Sequence, residues 1–490
     1  MSVFHALRGA FTDRARQSPS FNANAPHRSS RDTVTPTPAG GAAALRPRPL
    51  AARRIVIEAS AMWLATRLAM VALTYFAVTL TPDGRAHGYD TTTLRHLLYT
   101  WKQWDAVWYT QIAHIGYTRL YTTAFFPLYP LLIKTVTLVI GEHWLLAAMI
   151  VSNLAALGAF IGVGLLAANE FDGANASQRA IRVFAAYPLA FFLTAPYTEG
   201  LFIGLVAFSL FFARRGNWRW AALTAFLAAL TRPTGIILLP PLVWEFGRQH
   251  GWWAAVASLP VWRRLRVAVA RYLPGRRGGG APVGGATQAA RGGDEEASAW
   301  RSAWRRARAS TFERGTLLAL ALVVIAVPFG IGLYMAYLKL KYGHPLLFLH
   351  VQEYFWHRQT VALWESIPQA IQQWLSLPGL SFWQSRGLID LVPLAVCALV
   401  ALVSIRRLPF AFTLYMLGLI YLTVRSPIFE PAYPDILSSS GRFMLAAIPV
   451  FLILGQWTRR RPGLEMLLIS GGFLLQALFA AYFLSGGWLV

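Results

Sequence analysis

Long apolar runs separated by short polar turns dominate the chain from residue 55 onward. The first strong run, 55–80, exceeds the roughly 20 residues that a helix needs to cross a bilayer. Similar but in part shorter runs predict further spans at 144–168, 183–197, 200–213, 218–231, 235–247, 316–338, 387–405, 409–424, 443–457 and 464–483. The pattern predicts an all-α polytopic membrane protein with a bundle of about eleven transmembrane helices.

The composition supports this class. Of the 490 residues, 56% are hydrophobic and only 13% are charged, which is too apolar for an ordinary soluble domain. The single cysteine, Cys397, excludes a disulfide within the chain and a metal site built from cysteines.

Two basic blocks set the predicted topology and domain organisation. Residues 1–54 hold nine arginines and are predicted to be a disordered cytoplasmic tail, and the Gly/Arg-rich segment 248–315 is predicted to be a cytoplasmic loop. The net charge of +24 then reflects topology and contact with anionic lipid, and we expect no nucleic-acid partner. The remaining predicted units are an N-terminal transmembrane catalytic half, 55–247, and a C-terminal transmembrane half, 316–490.

An even number of spans must lie between two cytoplasmic blocks. Seven apolar runs lie between these two, so one of them does not cross the membrane. The run 127–141 is the weakest, because it is short, contains Lys134 and follows the sequence Phe125–Phe126. We predict that it is a juxtamembrane helix on the outer face, with the N-terminus in the cytoplasm and the C-terminus outside. The outer loops are then 81–143, 339–386 and 425–442, and most of the polar residues that the spans do not explain fall on that face.

Asp105 is the first candidate for chemistry on the outer face. Helical spacing would place Trp101, Asp105 and Trp108 on one face, with the carboxylate beside the rings. Asp105 could act as a general base or bind a divalent cation such as Mg²⁺ or Mn²⁺. The alternative is a surface acid that pairs with Lys102.

Three more charged residues occupy turns at the same face. Glu199 precedes an apolar helix, where it could favour the helix N-terminus, pair with an arginine or help to bind a metal. Arg232, between Leu230 and Pro233, needs a partner or a polar cavity at that depth, and a guanidinium suits phosphate. Arg442 has the same setting, although it could also extend to the interface as an ordinary arginine.

Histidines in the predicted loop 339–386 are weaker metal candidates. His350, Glu353 and His357 could share a helical face, and His344 lies nearby, but the spacing differs from that of HExxH zinc sites. No Walker A motif, dinucleotide fingerprint or nucleophile elbow occurs in a convincing context.

Four ordered motifs resemble those of the PIG-V mannosyltransferases (GPI mannosyltransferase 2), which belong to the GT-C superfamily. They cover about 55–247, and the C-terminal half matches more loosely through Ser440–Phe443. The motifs are Trp104-Asp105 with Trp108-Tyr109, Phe125 to Pro130, Ala195 to Phe202, and Leu230 to Gly235.

The resemblance implies an inverting hexosyltransferase of the outer or lumenal face. The donor would be a polyprenyl- or dolichyl-phosphate sugar, and the expected sugar is mannose. The acceptor would be a glycolipid or glycan. Asp105 would deprotonate the acceptor, Glu199 is expected to be a second catalytic residue, and Arg232 and Arg442 would hold the donor phosphate. The aromatic residues expected at the substrate cleft are Trp104, Trp108, Tyr109, Tyr129 and Tyr197.

Composition indicates a bacterial homologue, because the chain is rich in Ala and Arg and poor in Lys. A plasma-membrane location is then expected, against the endoplasmic reticulum for a eukaryotic protein, and a GPI-anchor acceptor is not expected in bacteria. A transporter or lipid flippase is the alternative function, since broken helices and an intramembrane arginine also occur along transport paths.

Overall fold

The computed structural model describes residues 49–80, 93–173, 175–257, 302, 304–305, 314–428, 437 and 439–489. The regular elements of these residues are helices, and an isolated antiparallel bridge joins Arg358 to Ile428. The predicted all-α class is therefore confirmed.

The helices of the N-terminal half differ widely in length. They are α1 (Pro49–Leu80), α2 (Leu94–Tyr99), α3 (Asp105–Ile115), α4 (Leu128–Ile140), α5 (Trp144–Glu170), α6 (Ala176–Ala185), α7 (Glu199–Arg214), α8 (Trp218–Thr231), α9 (Leu239–Gln249) and α10 (Trp252–Ala257). Short 3-10 helices occur at Leu120–Ala124, Ala190–Leu193 and Pro233–Leu238.

The C-terminal half has the same mixture of long and short helices. They are α11 (Arg314–Tyr342), α12 (Leu347–Trp356), α13 (Leu363–Ser376), α14 (Phe382–Arg407), α15 (Phe410–Arg425), α16 (Ser440–Phe443), α17 (Ile448–Trp457) and α18 (Pro462–Leu484). Short 3-10 helices occur at Met444–Ala446 and Thr458–Arg460.

Five of the described helices, α1, α5, α11, α14 and α18, are long and apolar enough to cross a membrane. A sixth crossing results if the segment from Ser440 to Arg460, which bends by 73° at one break, counts as one span. The predicted total of about eleven is not confirmed: α7, α8, α9 and α15 have 16, 14, 11 and 16 residues, fewer than the roughly 20 that a span needs. The chain is a multi-pass membrane protein, with several apolar helices that do not reach this length.

The predicted span 183–197 is wrong. Helix α6 ends at Ala185, and the chain continues through a turn and the 3-10 helix Ala190–Leu193. Pro188 explains the break, because a proline lacks the backbone N–H and disfavours helical geometry in the residue before it. The segment is apolar because it is buried inside the protein.

Small residues bring α5 and α7 into close contact. A Cβ atom at Gly200 would lie 2.9 Å from the backbone nitrogen of Ala156, and one at Gly162 would lie 2.7 Å from the Cβ of Ala207. Glycine and alanine therefore let the two backbones approach closely, as is common between helices in membranes. This packing holds the first turn of α7, where Glu199 lies, against the middle of α5.

The helix predicted at 127–141 is present as α4, and its face of the membrane stays a prediction. The preceding segment packs on the C-terminal part of α11. The ring of Phe126 lies 4.7 Å from that of Tyr334, whose hydroxyl donates a 2.8 Å hydrogen bond to the carbonyl of Thr123. These contacts form a second aromatic core beside the main helix bundle.

Parts of the predicted tail and loops lie outside the described residues. They are 1–48 of the predicted tail, 81–92 of the first predicted outer loop, most of 258–313 and residues 429–436 and 438.

Candidate active site

Glu199 and Arg232 are joined at the turns that start α7 and end α8. Arg232 adopts an extended backbone (φ −150°, ψ 146°), as expected for a residue before proline, and this ends α8. Its Nη2 lies 2.5 Å from Oε1 of Glu199, and its Nε donates a 2.7 Å hydrogen bond to the hydroxyl of Thr198. The Glu199 side chain is only 2% exposed, so the arginine neutralises a buried carboxylate.

Arg442 extends this pair to the opposite half of the chain. Its Nη1 lies 3.0 Å from Oδ2 of Asp105, and its Nε lies 3.2 Å from Oε1 of Glu199. The second contact is an ion pair without hydrogen-bond alignment, since Nε has no hydrogen-bond partner among the described residues. One guanidinium thus links two carboxylates that are 94 positions apart in the sequence.

Aromatic rings surround the Arg442 guanidinium. Its Cζ atom lies 5.4 Å from the ring centre of Phe192, 5.5 Å from Tyr197 and 5.6 Å from Phe443. Rings favour a guanidinium electrostatically and exclude water around it. Charges interact more strongly in such a site than in water.

Asp105 is the first residue of α3 and the most exposed of these four charged side chains, at 20%. The residue before it, Trp104, has φ at 49°, in the left-handed region that few residues other than glycine adopt. Strained backbone of this kind concentrates at functional sites. The acid pairs with Arg442, and the alternative partner Lys102 instead places its amine over the ring of Tyr99.

The prediction that Trp101 shares a helical face with Asp105 is wrong. The helix begins at Asp105, and Trp101 precedes it in a buried turn, where its Nε1 donates to the hydroxyl of Thr74 at 3.2 Å. Trp108 does lie on α3, with its ring 4.9 Å from that of Tyr121. Trp104 is 43% exposed and lies 5.9 Å from the ring of Trp488.

The three tyrosines predicted at the cleft lie around and behind the charged cluster. The hydroxyl of Tyr109 lies 3.3 Å from that of Thr198, and the hydroxyl of Tyr197 donates to the carbonyl of Gln103 at 3.0 Å. Tyr129 is fully buried behind them and bonds to Ser152 at 2.6 Å, so in this structure it supports the cluster and does not line an open surface.

Burial keeps two of these tyrosines neutral. It raises the pKa of Tyr109, an effect that Arg232 opposes in part and that Asp105 and Glu199 reinforce. Burial also raises the pKa of Tyr197, with Asp105 adding to the effect and Arg442 opposing it. Both phenols therefore act as hydrogen-bonding groups and contribute no charge near neutral pH.

The sequence analysis missed Thr198, Phe192, Asp390 and Arg358. Thr198 stood inside a quoted motif, but its link to Arg232 depends on the fold. Arg358 follows the histidines that drew attention to that loop; its Cζ lies 5.5 Å from the ring of Phe443, and its Nη1 donates to the carbonyl of Ser426 at 2.9 Å. Arg358 therefore approaches the same ring as Arg442.

The residues at hand do not fit a protein-held divalent cation. No group of three or more His, Cys, Asp or Glu side chains is close enough to hold a metal within the part of the chain that the structure describes. His350 and Glu353 lie on α12, and His357 follows it in a left-handed conformation. The two carboxylates of the site, Asp105 and Glu199, share the Arg442 guanidinium, so each already has a cationic partner.

An apolar cavity of about 510 Å³ adjoins the segment that carries Arg442. It lies between α14 and α18, and Tyr187, Leu189 and Ile389 contribute to its wall. The Tyr187 hydroxyl donates a 2.5 Å hydrogen bond to the carbonyl of Gly441, the residue before Arg442. Tyr187 therefore links the wall of the cavity to the backbone next to Arg442.

Part of the amino-acid sequence matches a known protein family. Residues 82–269 match the family model described as Mannosyltransferase (PIG-V). This segment is therefore similar to the PIG-V mannosyltransferases. The resemblance predicted from the motifs is thereby confirmed, and together with the apolar helices it supports a membrane glycosyltransferase. No curated protein and no solved structure matches the chain.

The PIG-V match contains three of the four charged residues. Asp105, Glu199 and Arg232 lie within 82–269, whereas Arg442 lies outside it. In the tertiary structure, Arg442 contacts both acids of the matched segment.

Proposed function

We propose that this protein transfers mannose from a polyprenyl- or dolichyl-phosphate donor to a hydroxyl of a glycolipid or glycan on the outer face of the membrane, with inversion at the anomeric carbon. The observation that carries the proposal is the continuous chain of contacts Asp105–Arg442–Glu199–Arg232. It combines one partly exposed carboxylate with two arginines, and Asp105, Glu199 and Arg232 lie in the segment that matches the mannosyltransferase family model.

The two acids have different environments, and this separates their roles. Glu199 is 2% exposed and contacts both arginines, so its carboxylate orients the two guanidinium groups. Asp105 has one arginine partner and a partly exposed side chain, which leaves it accessible to an acceptor hydroxyl. Asp105 is the general base of the proposal, and Glu199 holds the arginines.

The proposed reaction conserves atoms and charge. The acceptor oxygen forms a bond to the anomeric carbon of the sugar while its proton passes to Asp105. The bond between the anomeric carbon and the phosphate oxygen breaks, and its electron pair leaves with the lipid phosphate. Arg442 and Arg232 stabilise the negative charge that develops there, which is the form of catalysis that fixed cationic groups provide.

The pairing of Arg442 with Asp105 favours binding of the donor before activation of the acceptor. A donor phosphate would compete with the Asp105 carboxylate for the same guanidinium. Binding of the donor would then draw Arg442 from Asp105 and leave that carboxylate available to the acceptor. The apolar cavity beside Gly441 supports a lipid donor, because it would accommodate the first part of a prenyl chain next to the phosphate.

The test is transfer of radiolabelled mannose from polyprenyl-phosphate mannose into a lipid fraction by the purified protein in lipid nanodiscs. Asp105→Asn should lower the rate by about 100-fold or more, the range that loss of a general base produces. Glu465→Gln is the matched control: Glu465 has a similar exposure, 22%, and pairs with Arg182 away from the site. Unchanged transfer by a folded Asp105→Asn protein would refute the assignment of the base.

A further inference from the structure

Asp390 is a buried carboxylate that the proposed reaction does not use. It lies about two turns after the start of α14, one of the helices able to cross a membrane, and it has no exposed surface. Acids within transmembrane segments are costly and are usually retained for a specific contact.

The contacts of Asp390 lead to the backbone that carries Arg442. Oδ1 of Asp390 accepts a 2.6 Å hydrogen bond from the backbone N–H of Gly441, and the hydroxyl of Ser440 lies 3.3 Å from the same oxygen. The Ser440 hydroxyl also donates to the backbone carbonyl of Asp390 at 3.0 Å. A charged acceptor shortens and strengthens such bonds.

Steric fit confines the same backbone. A Cβ atom at Gly441 would lie 2.3 Å from the carbonyl oxygen of Ile389 and 3.0 Å from Leu189. Only glycine therefore allows this segment to lie directly on α14. The hydroxyl of Tyr187 holds the carbonyl of Gly441 from another direction.

We infer that Asp390 is a positioning residue that sets the place of the Arg442 guanidinium through the backbone of Ser440 and Gly441. Arg442 must reach Asp105 and Glu199 at once, with contacts of 3.0 and 3.2 Å, so a small shift of its backbone would separate it from one of them. A short helix of four residues, α16, has too few internal hydrogen bonds to hold that position by itself.

This inference rests on the proposed function, but its principal measurement does not require catalysis. The probe is polyprenyl phosphate without a sugar, and the measured quantity is its Kd for the full-length protein in nanodiscs. Asp390→Leu replaces the acceptor with a branched but larger apolar side chain and should weaken binding by about 10-fold or more, as expected for loss of a hydrogen bond to a charged group. Asp390→Asn keeps an acceptor oxygen and should restore binding to within about 3-fold of the wild type.

A matched control separates positioning from general stability. Ser404→Ala removes a buried side-chain contact on the same helix, the 2.7 Å bond to Thr413, and should leave the Kd unchanged. In an Arg442→Lys background, Asp390→Leu should add little further loss, because residues that act through one group are not additive. Equal losses in both backgrounds, or wild-type binding by Asp390→Leu, would overturn the inference.

Tyr187→Phe keeps the test decisive if Asp390→Leu does not fold. It deletes only the hydroxyl that bonds to Gly441 and should weaken binding by about 3-fold, again with no further effect in Arg442→Lys. Wild-type binding by this variant would count against the positioning role. If the wild type binds polyprenyl phosphate but transfers no mannose, the proposed function fails and the positioning role stands.

Discussion

Two ion-pair networks lie at the opposite ends of α7, and they differ in how fully their polar atoms are paired. Glu199 starts the helix and Arg214 ends it, about 22 Å away at the rise of an α-helix. Both residues complement the helix dipole, and both networks are largely buried. The two networks therefore differ mainly in hydrogen bonding.

The network at Arg214 is saturated. Arg214 holds Glu170 with two hydrogen bonds of 2.7 and 3.0 Å and donates a third, of 2.8 Å, to Glu245. Arg248 and Gln249 also donate to the carboxylate of Glu245. These contacts join the ends of α5, α7 and α9 and stabilise their packing.

The network at Glu199 is incomplete. Its Oε2 is buried without a hydrogen-bond partner among the described residues, the Nε of Arg442 is not aligned with its partner, and Asp105 is partly exposed. A buried polar atom without a partner is costly. The difference teaches that buried ion pairs alone do not mark a site. What distinguishes this network is that its incompletely paired atoms lie next to a partly exposed carboxylate.

The largest expected effect falls on stability and tests the saturated network. Arg214→Met leaves Glu170 and Glu245 buried without this partner and should cost about 3–5 kcal/mol, measured by thermal or denaturant unfolding in detergent. The apparent donor KM of the folded protein should stay unchanged. A large change in KM without a loss of stability would show that the network at Arg214 belongs to the active site.

Arg442→Lys is the counterpart in the incomplete network. It keeps the positive charge but loses the planar fork that reaches two carboxylates, so the donor KM should rise by about 10-fold or more, with little change in unfolding temperature. Steady-state kinetics with varied polyprenyl-phosphate mannose would measure it. Normal donor kinetics would contradict the assignment of Arg442 to the phosphate.

Tyr197→Phe should have the smallest effect. The ring over Arg442 remains, and only the hydrogen bond to the carbonyl of Gln103 is lost, so transfer should fall by about 2- to 10-fold. Tyr197→Leu removes the ring as well and should lower transfer further. Equal rates for the two variants would show that the ring does not stabilise the guanidinium.

Several features of the site were predictable because they depend on local sequence. Pro233 forces the residue before it out of helical geometry, so the turn at Arg232 follows from two adjacent residues. An arginine at that turn needs a partner, and Glu199 was predicted to be able to pair with an arginine, although not with this one in particular. The ordered motifs carried the family, which the comparison confirms.

The span count was not predictable in the same way. Apolar runs such as 183–197 and 200–213 are apolar because they are buried by neighbouring helices, and hydropathy alone does not distinguish burial in protein from exposure to lipid. The prediction that Trp101 shares a helical face with Asp105 failed for a related reason, since the chain turns at Trp104 with a positive φ that periodicity does not reveal.

The sequence by itself determined the class of the protein, its helical character, the family motifs and the polar residues worth testing, because these depend on composition and on short spacings. The tertiary structure decided which charges meet. Arg442 contacts Asp105 and Glu199, and Asp390 contacts Gly441, only because α3, α7, α14 and the 439–443 segment converge in space. Pairings across such distances arise from helix packing, whose contacts no local pattern encodes.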